Sequence, residues 1–335
     1  MPIARFVERI LHLIPVLAGV SVIVFLMISL TPGDPVEIML GDQRATPEQV
    51  ASMRRDMGLD RPAVERYFVF VTNAIRGDFG QSFFHRRPVS AVISERLPAT
   101  IELTVAAMLI AIGLAIPLGV LAAVRRDTIL DRIATVGSLF GVSLPGFWFG
   151  ILLILFFAVQ LQILPVAGRL GYAMEVPAVT GFALVDSLIA GRMDSFWEVL
   201  RHLALPAFTL GLPSAAILMR VTRSAMIEVL RADYITFAEA KGLSRARIIG
   251  LHALKNALIP AVSVAALETG TLLGGNMVVE TVFGWPGLGR LVVESIFARN
   301  YPLVQAAVLL YAVTYVALNF AADLLYTVLN PRVRL

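Results

Sequence analysis

The chain has 335 residues, of which 58% are hydrophobic and only 16% charged, with a mean hydropathy of +0.80. So much apolar surface exceeds what a soluble core buries, which excludes an ordinary soluble domain and indicates an all-α, polytopic membrane protein. The net charge of +4 does not signal nucleic acid, because the basic residues gather at the edges of apolar runs without interleaved aromatics, and the absence of cysteine excludes disulfides and thiolate chemistry.

Six spans are expected, near Ile10 to Leu30, Ile101 to Val124, Ile133 to Leu161, Leu203 to Met226, Leu258 to Val282 and Leu303 to Leu329. Each reaches the ~20 residues that cross ~30 Å of hydrocarbon. The first reads as a retained helix rather than a cleaved leader, since it ends in Thr31-Pro-Gly-Asp-Pro35 without a small-residue cleavage site. After it, Thr46-Pro-Glu-Gln49 forms a capping box for a helix that Gly58 ends, and a second helix is expected over Pro62 to Arg76, stopped by Gly77. This insertion suits either a structural lid or a docking surface. Pro117, Pro145, Pro206 and Pro213 predict kinks in the second, third and fourth spans. The Gln162 to Arg201 connection, with Glu175, Asp186, Asp194 and Trp197, has the composition of a solvated loop. Phe283-Gly-Trp-Pro-Gly-Leu-Gly289 reads as a turn whose aromatics sit at the membrane interface, followed by a short helix over Leu291 to Ala298.

These elements divide the chain into an N-terminal tail and first helix (1–30), a helical extracytoplasmic insertion (31–100) and a five-helix core (101–335) that contains a cytoplasmic loop (227–257). Orientation follows from the basic residues in short connections: Arg5 and Arg9, Arg125, Arg126 and Arg132, the Arg220 to Lys255 cluster, and Arg332 and Arg334. Both termini are then cytoplasmic.

Tyr234 to Pro260 is the segment best suited to meet a partner. It reads as a helix over Tyr234 to Lys241, a left-handed stop at Gly242 and a new start at Ser244, whose hydroxyl is placed to cap the next turn. Ile235, Ala238, Leu243, Ile248 and Ile249 recur at helical spacing, while Lys241, Arg245, Arg247 and Lys255 stay hydrated. Periodicity alone favours an ordinary amphipathic loop lying on the bilayer surface, held by anionic lipid headgroups.

The search for chemistry is mostly negative. There is no G-x-x-x-x-G-K-[ST], so the chain carries no Walker phosphate cradle. His12, His85, His202 and His252 lie in separate segments without metal-ligand spacing, and Ser143 has no histidine on a nearby span to act as its base. No cofactor, metal site or catalytic residue is expected. Ionisable residues inside spans are costly, which singles out Glu102, Glu268, Glu280 and Asp323. Glu268, with Thr271 and Asn276, makes a small, polar face that suits either a solute pathway or helix packing.

The segment AEAKGLSRARIIGLHALKNALIP resembles the cytoplasmic EAA-type coupling loop of ATP-binding-cassette importer permeases, in the form used by the dipeptide, oligopeptide and nickel branch. Leu13 to Pro35, RGDFGQSF (Arg76 to Phe83), GVSLPGFWFGILL (Gly141 to Leu153), LPVAGR (Leu164 to Arg169), ETVFGWPGLGRL (Glu280 to Leu291) and Tyr301 to Val313 resemble the same branch, in order along nearly the whole chain. One departure is Glu239, where the branch usually has a basic residue. The resemblance implies a permease subunit of a peptide importer in the bacterial inner membrane, with six helices of the type I kind. It implies a second, related permease, two cytoplasmic ATPases that hold ATP and magnesium, and an extracytoplasmic solute-binding protein. Ala238, Glu239, Ala240, Lys241, Gly242, Leu243 and Arg245 would then carry the ATPase coupling. The competing readings are a self-sufficient secondary transporter, a scaffold subunit without a pathway, and the same importer class with nickel, glutathione or an opine-like substrate.

Overall fold

The computed structural model describes residues 3–30, 36, 47–56, 59–82, 84–171 and 174–329. These form a helical protein in which α1 is Ile3–Leu30, α2 Pro47–Asp56, α3 Ala63–Ile75, α4 Val89–Val124, α5 Ile129–Ser143, α6 Gly146–Leu153 and α7 Ala183–Ile189. There follow α8 Met193–Val229, α9 Asp233–Ala240, α10 Arg245–Arg247, α11 Leu254–Gly275, α12 Met277–Val282, α13 Leu288–Phe297 and α14 Tyr301–Leu329. Two wider π segments, Ile154–Gln160 and Ile248–Ala253, continue α6 and join α10 to α11. The chain divides into two compact units, residues 1–97 with 291–316, and residues 98–290 with 317–335.

In the first unit α1 and α3 pack through an aromatic cluster. Phe25 meets the Tyr67 ring edge-on at 5.5 Å and Phe70 at 6.0 Å, and the Tyr67 and Ser21 hydroxyls share a hydrogen bond of 2.8 Å. As expected, α3 ends at Arg76 and reverses at Gly77, whose φ of +76° suits glycine. Asn300 donates to the Ser82 hydroxyl at 2.7 Å and Gln305 to the Val24 carbonyl at 3.0 Å, which ties α1 and the Ser82 turn to the α14 end of this unit. The capping box at Thr46 and the stop at Gly58 lie outside the described residues, as does the Thr31 to Pro35 turn, and the Asp323 side chain is likewise outside them.

The second unit is organised around α8, which packs against α5, α6, α7 and α11. Its most apolar stretch is 72% buried, against 33% for that of α4. Burial in protein explains why this span is less apolar than α4, with a mean hydropathy of 1.5 against 2.5 in their most apolar stretches. A helix surrounded by other helices tolerates Ser195, Thr209, Ser214 and Thr222, because those hydroxyls meet protein rather than lipid. Pro206 and Pro213 lie within one continuous helix. At Gly211 a Cβ would stand 2.7 Å from the Ala107 carbonyl of α4, so only glycine permits that approach.

The third span departs from expectation. Instead of one kinked crossing over Ile133 to Leu161, α5 and α6 meet at 103°. Leu144, which precedes Pro145, is driven to φ −79° and ψ 129°, and Pro145 has no amide to carry the helical ladder across the break. Among the described residues four helices are long and apolar enough to cross a membrane, five if the bent pair counts as one, and α1 contributes the shorter apolar helix Leu13–Met27.

Candidate functional site

The basic loop is built on a buried footing. Asp233 opens α9 where a carboxylate complements the helix dipole, and Lys241 closes it. Gly242 has φ +78°, its amide donates to the Glu239 carbonyl at 2.9 Å, and the Leu243 amide donates to the Ala238 carbonyl at 3.3 Å. This is a Schellman cap, completed by Leu243 and Ala238 sharing one hydrophobic cluster. No atom lies within 4 Å of where a Gly242 Cβ would stand, so backbone conformation rather than crowding demands glycine there. Ser244 occupies the next N-cap, but contrary to expectation its hydroxyl makes no capping bond.

The periodic apolar face turns inward. Ile235, Ala238, Ile248, Ala253 and Ala257 bury themselves against Ala123 and Met226 at the ends of α4 and α8. Of the residues expected to contact a partner, Glu239, Ala240, Lys241, Gly242 and Arg245 are exposed, Leu243 is half-buried, and Ala238 belongs to the footing at 7% exposure. Phe237, which sequence reasoning passed over, stands out at 62% exposure with the Lys241 ammonium 4.5 Å from its ring centre. Its signal was available, since an aromatic at position 237 falls out of phase with Ile235 and Ala238. The surface is therefore an apolar knob flanked by Glu239, Lys241, Arg245 and Arg247, a pattern suited to insertion into another protein's cleft.

The polar face on α11 is not gathered into one site. Glu268 accepts a hydrogen bond from the Ser214 hydroxyl of α8 at 2.8 Å. Thr271 is exposed and its hydroxyl returns to the Leu267 carbonyl of its own helix at 3.2 Å. Asn276 is buried with its amide 3.5 Å from Thr104 on α4. Glu268 and Asn276 thus stand roughly 12 Å apart along the helix and answer to different neighbours.

The opposite end of the second unit holds a hub that joins three distant motifs. Glu280 is fully buried and accepts from the Thr100 hydroxyl at 2.7 Å and from the Arg290 amide at 3.0 Å, so its carboxylate caps the start of α13. A Cβ at Gly287 would collide with that carboxylate. Trp285, expected at the interface, is instead fully buried among Ala99, Leu103, Leu203 and Ala207, with its indole donating to the Ala99 carbonyl at 2.8 Å. Phe283 is buried as well, against Leu153 and Leu205. Arg169 donates to Glu102 at 2.7 and 2.9 Å and to the Gly181 carbonyl at 2.9 Å, with its guanidinium 5.8 Å from the Trp285 ring centre. The Gly168 amide donates to the Phe283 carbonyl at 2.9 Å.

The connection read as an ordinary solvated loop is also ordered locally. Asp186 is 2% exposed and accepts from the amides of Val179, Thr180 and Gly181 and from the Thr180 hydroxyl at 2.7 to 3.2 Å. Burial pushes its carboxyl pKa up, but these hydrogen bonds outweigh burial and leave it below its ordinary value.

Residues 115–335 match the family model of the binding-protein-dependent transport system inner membrane component, and residues 3–104 match the N-terminal model of binding-protein-dependent transport system membrane components. The chain is 44% identical to the di/tripeptide transport system permease protein of Pseudomonas aeruginosa, over 96% of each chain. It is 42% identical to the dipeptide transport system permease protein of Escherichia coli K12 and 38% identical to a glutathione transport system permease protein of E. coli O1:K1, over 98% of each chain in both cases. Among solved structures it resembles a chain of the MetNI methionine ABC transporter in inward-facing conformations, with a TM-score of 0.50 and 18% identity over 69% of this chain and 93% of that one, which is a likeness of fold.

Proposed function

The chain belongs to the binding-protein-dependent transport system inner membrane components, and we propose that it forms the translocation pathway for di- or oligopeptides in an ATP-driven importer. Six spans cross the inner membrane, counting α1 and the bent α5–α6 pair, with residues 31–100 as an extracytoplasmic helical insertion and both termini in the cytoplasm. ATP hydrolysis belongs to two separate cytoplasmic subunits, which hold the ATP and magnesium. A second, related permease completes the pathway and an extracytoplasmic binding protein delivers the solute. Peptide as substrate is supported by the near full-length relatives named for dipeptide and di/tripeptide transport. The relative named for glutathione transport favours glutathione, itself a small peptide, as the second reading.

The observation that carries the coupling role is the exposed turn on its buried footing. Gly242 fixes the reversal, Ile235, Ala238 and Ile248 bind it to the spans, and Phe237, Glu239, Ala240, Lys241 and Arg245 face outward. A cleft in one ATPase that seats this knob would pull on α8 and α11 together when the ATPase pair closes, so the motion reaches the spans as rigid-body rocking. Exposed ion pairs contribute only about 0 to 1 kcal/mol each, so shape and the Phe237 contact dominate the affinity. Glu268, Thr271 and Asn276 remain candidates for lining the pathway, Glu268 and Thr271 from one stretch of α11 and Asn276 from its far end.

The test is ATP-driven uptake of a labelled dipeptide into vesicles that hold this chain and its operon neighbours, with Gly242→Pro as the comparison. Proline cannot adopt φ +78° and removes the amide bonded to Glu239. The variant should accumulate in the membrane, abolish uptake and weaken ATPase binding. ATP-independent uptake by this chain alone would overturn the importer reading in favour of a secondary carrier. ATPase activity stimulated by the binding protein without dipeptide uptake would retain the importer and discard the peptide.

A further inference from the structure

Two arginines three residues apart on α8 have opposite settings. Arg223 is clamped by Asp131 through bonds of 2.5 and 2.8 Å. Arg220, about one turn further from the basic loop, makes no hydrogen bond or ion pair among the described residues, and nor does the side chain of Glu228. Both line an open groove of about 520 Å³, whose walls include Ile217, Val221 and Ser224 of α8 and Pro260 of α11. That volume lies within the roughly 300–1,000 Å³ of small-ligand sites, and such sites also combine apolar walls with a few polar groups. Arg220 is an ionised side chain on a span that faces a cavity, which marks it as a candidate for function.

The spacing gives the groove a polarity. Arg220, Ser224 and Glu228 fall at i, i+4 and i+8, on one face of α8, so cation and anion stand roughly 12 Å apart at the backbone. A peptide of three residues spans at most about 11 Å between its own termini, which places an ammonium and a carboxylate within reach of both side chains. Between them the wall is apolar apart from the Ser224 hydroxyl, and it carries no further charge that would select one peptide side chain over another. An anionic lipid headgroup would find Arg220 but would also meet the Glu228 carboxylate.

We propose that Arg220 and Glu228 form a binding station for zwitterionic di- and tripeptides at the basic-loop end of the pathway, Arg220 receiving the carboxylate and Glu228 the ammonium. This rests on the peptide reading above. Both residues are specificity-determining rather than catalytic.

The experiment measures tripeptide uptake and ATP hydrolysed per peptide delivered, in proteoliposomes of the full complex with its binding protein. Arg220→Gln should raise the ATP spent per peptide at least fivefold, Glu228→Gln should raise it less, and Arg220→Lys should restore most of the wild-type ratio. A merely structural role would lower uptake and hydrolysis in proportion, and an unchanged ratio would overturn the station. Repeating the assay in vesicles of phosphatidylcholine with and without phosphatidylglycerol identifies the source of the anion. A defect confined to the anionic vesicles would assign Arg220 to a lipid headgroup and overturn the peptide assignment. Absence of tripeptide uptake by the wild-type complex would instead sink the peptide reading itself, and the station with it.

Discussion

The two ends of the second unit treat polar side chains in opposite ways. At the basic loop, Glu239, Lys241, Arg245 and Arg247 are exposed around Phe237, and the Lys241 ammonium lies against the Phe237 ring. At the far end Glu102, Arg169, Glu280 and Trp285 are buried or nearly so, and each is hydrogen-bonded to a residue distant in the chain. Burial makes an unpaired polar group expensive, so the hub has to be complete, whereas water satisfies the loop until a partner displaces it. The difference separates a surface left open to solvent from one locked by its own hydrogen bonds.

Variants should divide along that line. The largest effect is expected at the hub, where Glu280→Ala strips the cap from α13, leaves Thr100 and the Arg290 amide without their acceptor, and opens a cavity. A loss of roughly 3 kcal/mol or more is expected, seen as failure of the protein to accumulate in membranes. Gly242→Pro should act in the opposite manner, with normal accumulation and no transport. Normal accumulation of Glu280→Ala, or disappearance of Gly242→Pro from the membrane, would collapse the distinction. Phe237→Ala should leave the amount of protein unchanged and reduce ATPase affinity by about 2 kcal/mol, roughly thirtyfold, while Lys241→Ala should cost less than 1 kcal/mol. Co-purification and titration of the ATPase would measure both, and a larger loss for Lys241→Ala would show that charge rather than shape holds the contact.

The smallest effect concerns Asp186. Its folded carboxyl pKa is depressed below 3.8, so its contribution to stability is present above that pH and is lost as pH falls through the folded value. Asp186→Asn should lower the unfolding temperature by about 2–4 °C at pH 7, with the gap closing as pH falls through the folded carboxyl's depressed value. A gap that persists in acid would mean that packing around α7, not the carboxylate, is what the substitution disturbs.

Features that depend on local backbone were legible in the chain. Gly77 and Gly242 end helices because positive φ is a property of the residue itself. That several helices are long and apolar enough to span was legible too, because a long apolar run must find lipid or protein. Local reasoning failed wherever a distant residue decides the outcome. Trp285 resembles an interfacial aromatic until Ala99, 186 positions away, accepts its indole proton. Glu102 resembles a solitary charge at a span end until Arg169 arrives from a loop 67 residues later. The inward turn of Ala238 follows from the footing that Ala123 and Met226 provide.

By itself, then, the amino-acid order determined a helical membrane protein, the approximate place of its spans, the reversal at Gly242 and the family likeness of its motifs. Those properties depend on hydropathy, spacing and single-residue conformational preferences, which act over a few turns at most. Tertiary structure alone decided which face of the basic loop is footing and which is surface, how sharply the chain turns at Pro145, and which buried charges answer one another. Those outcomes depend on long-range packing and on the cost of leaving a buried polar group without a partner, and neither is set until the helices meet.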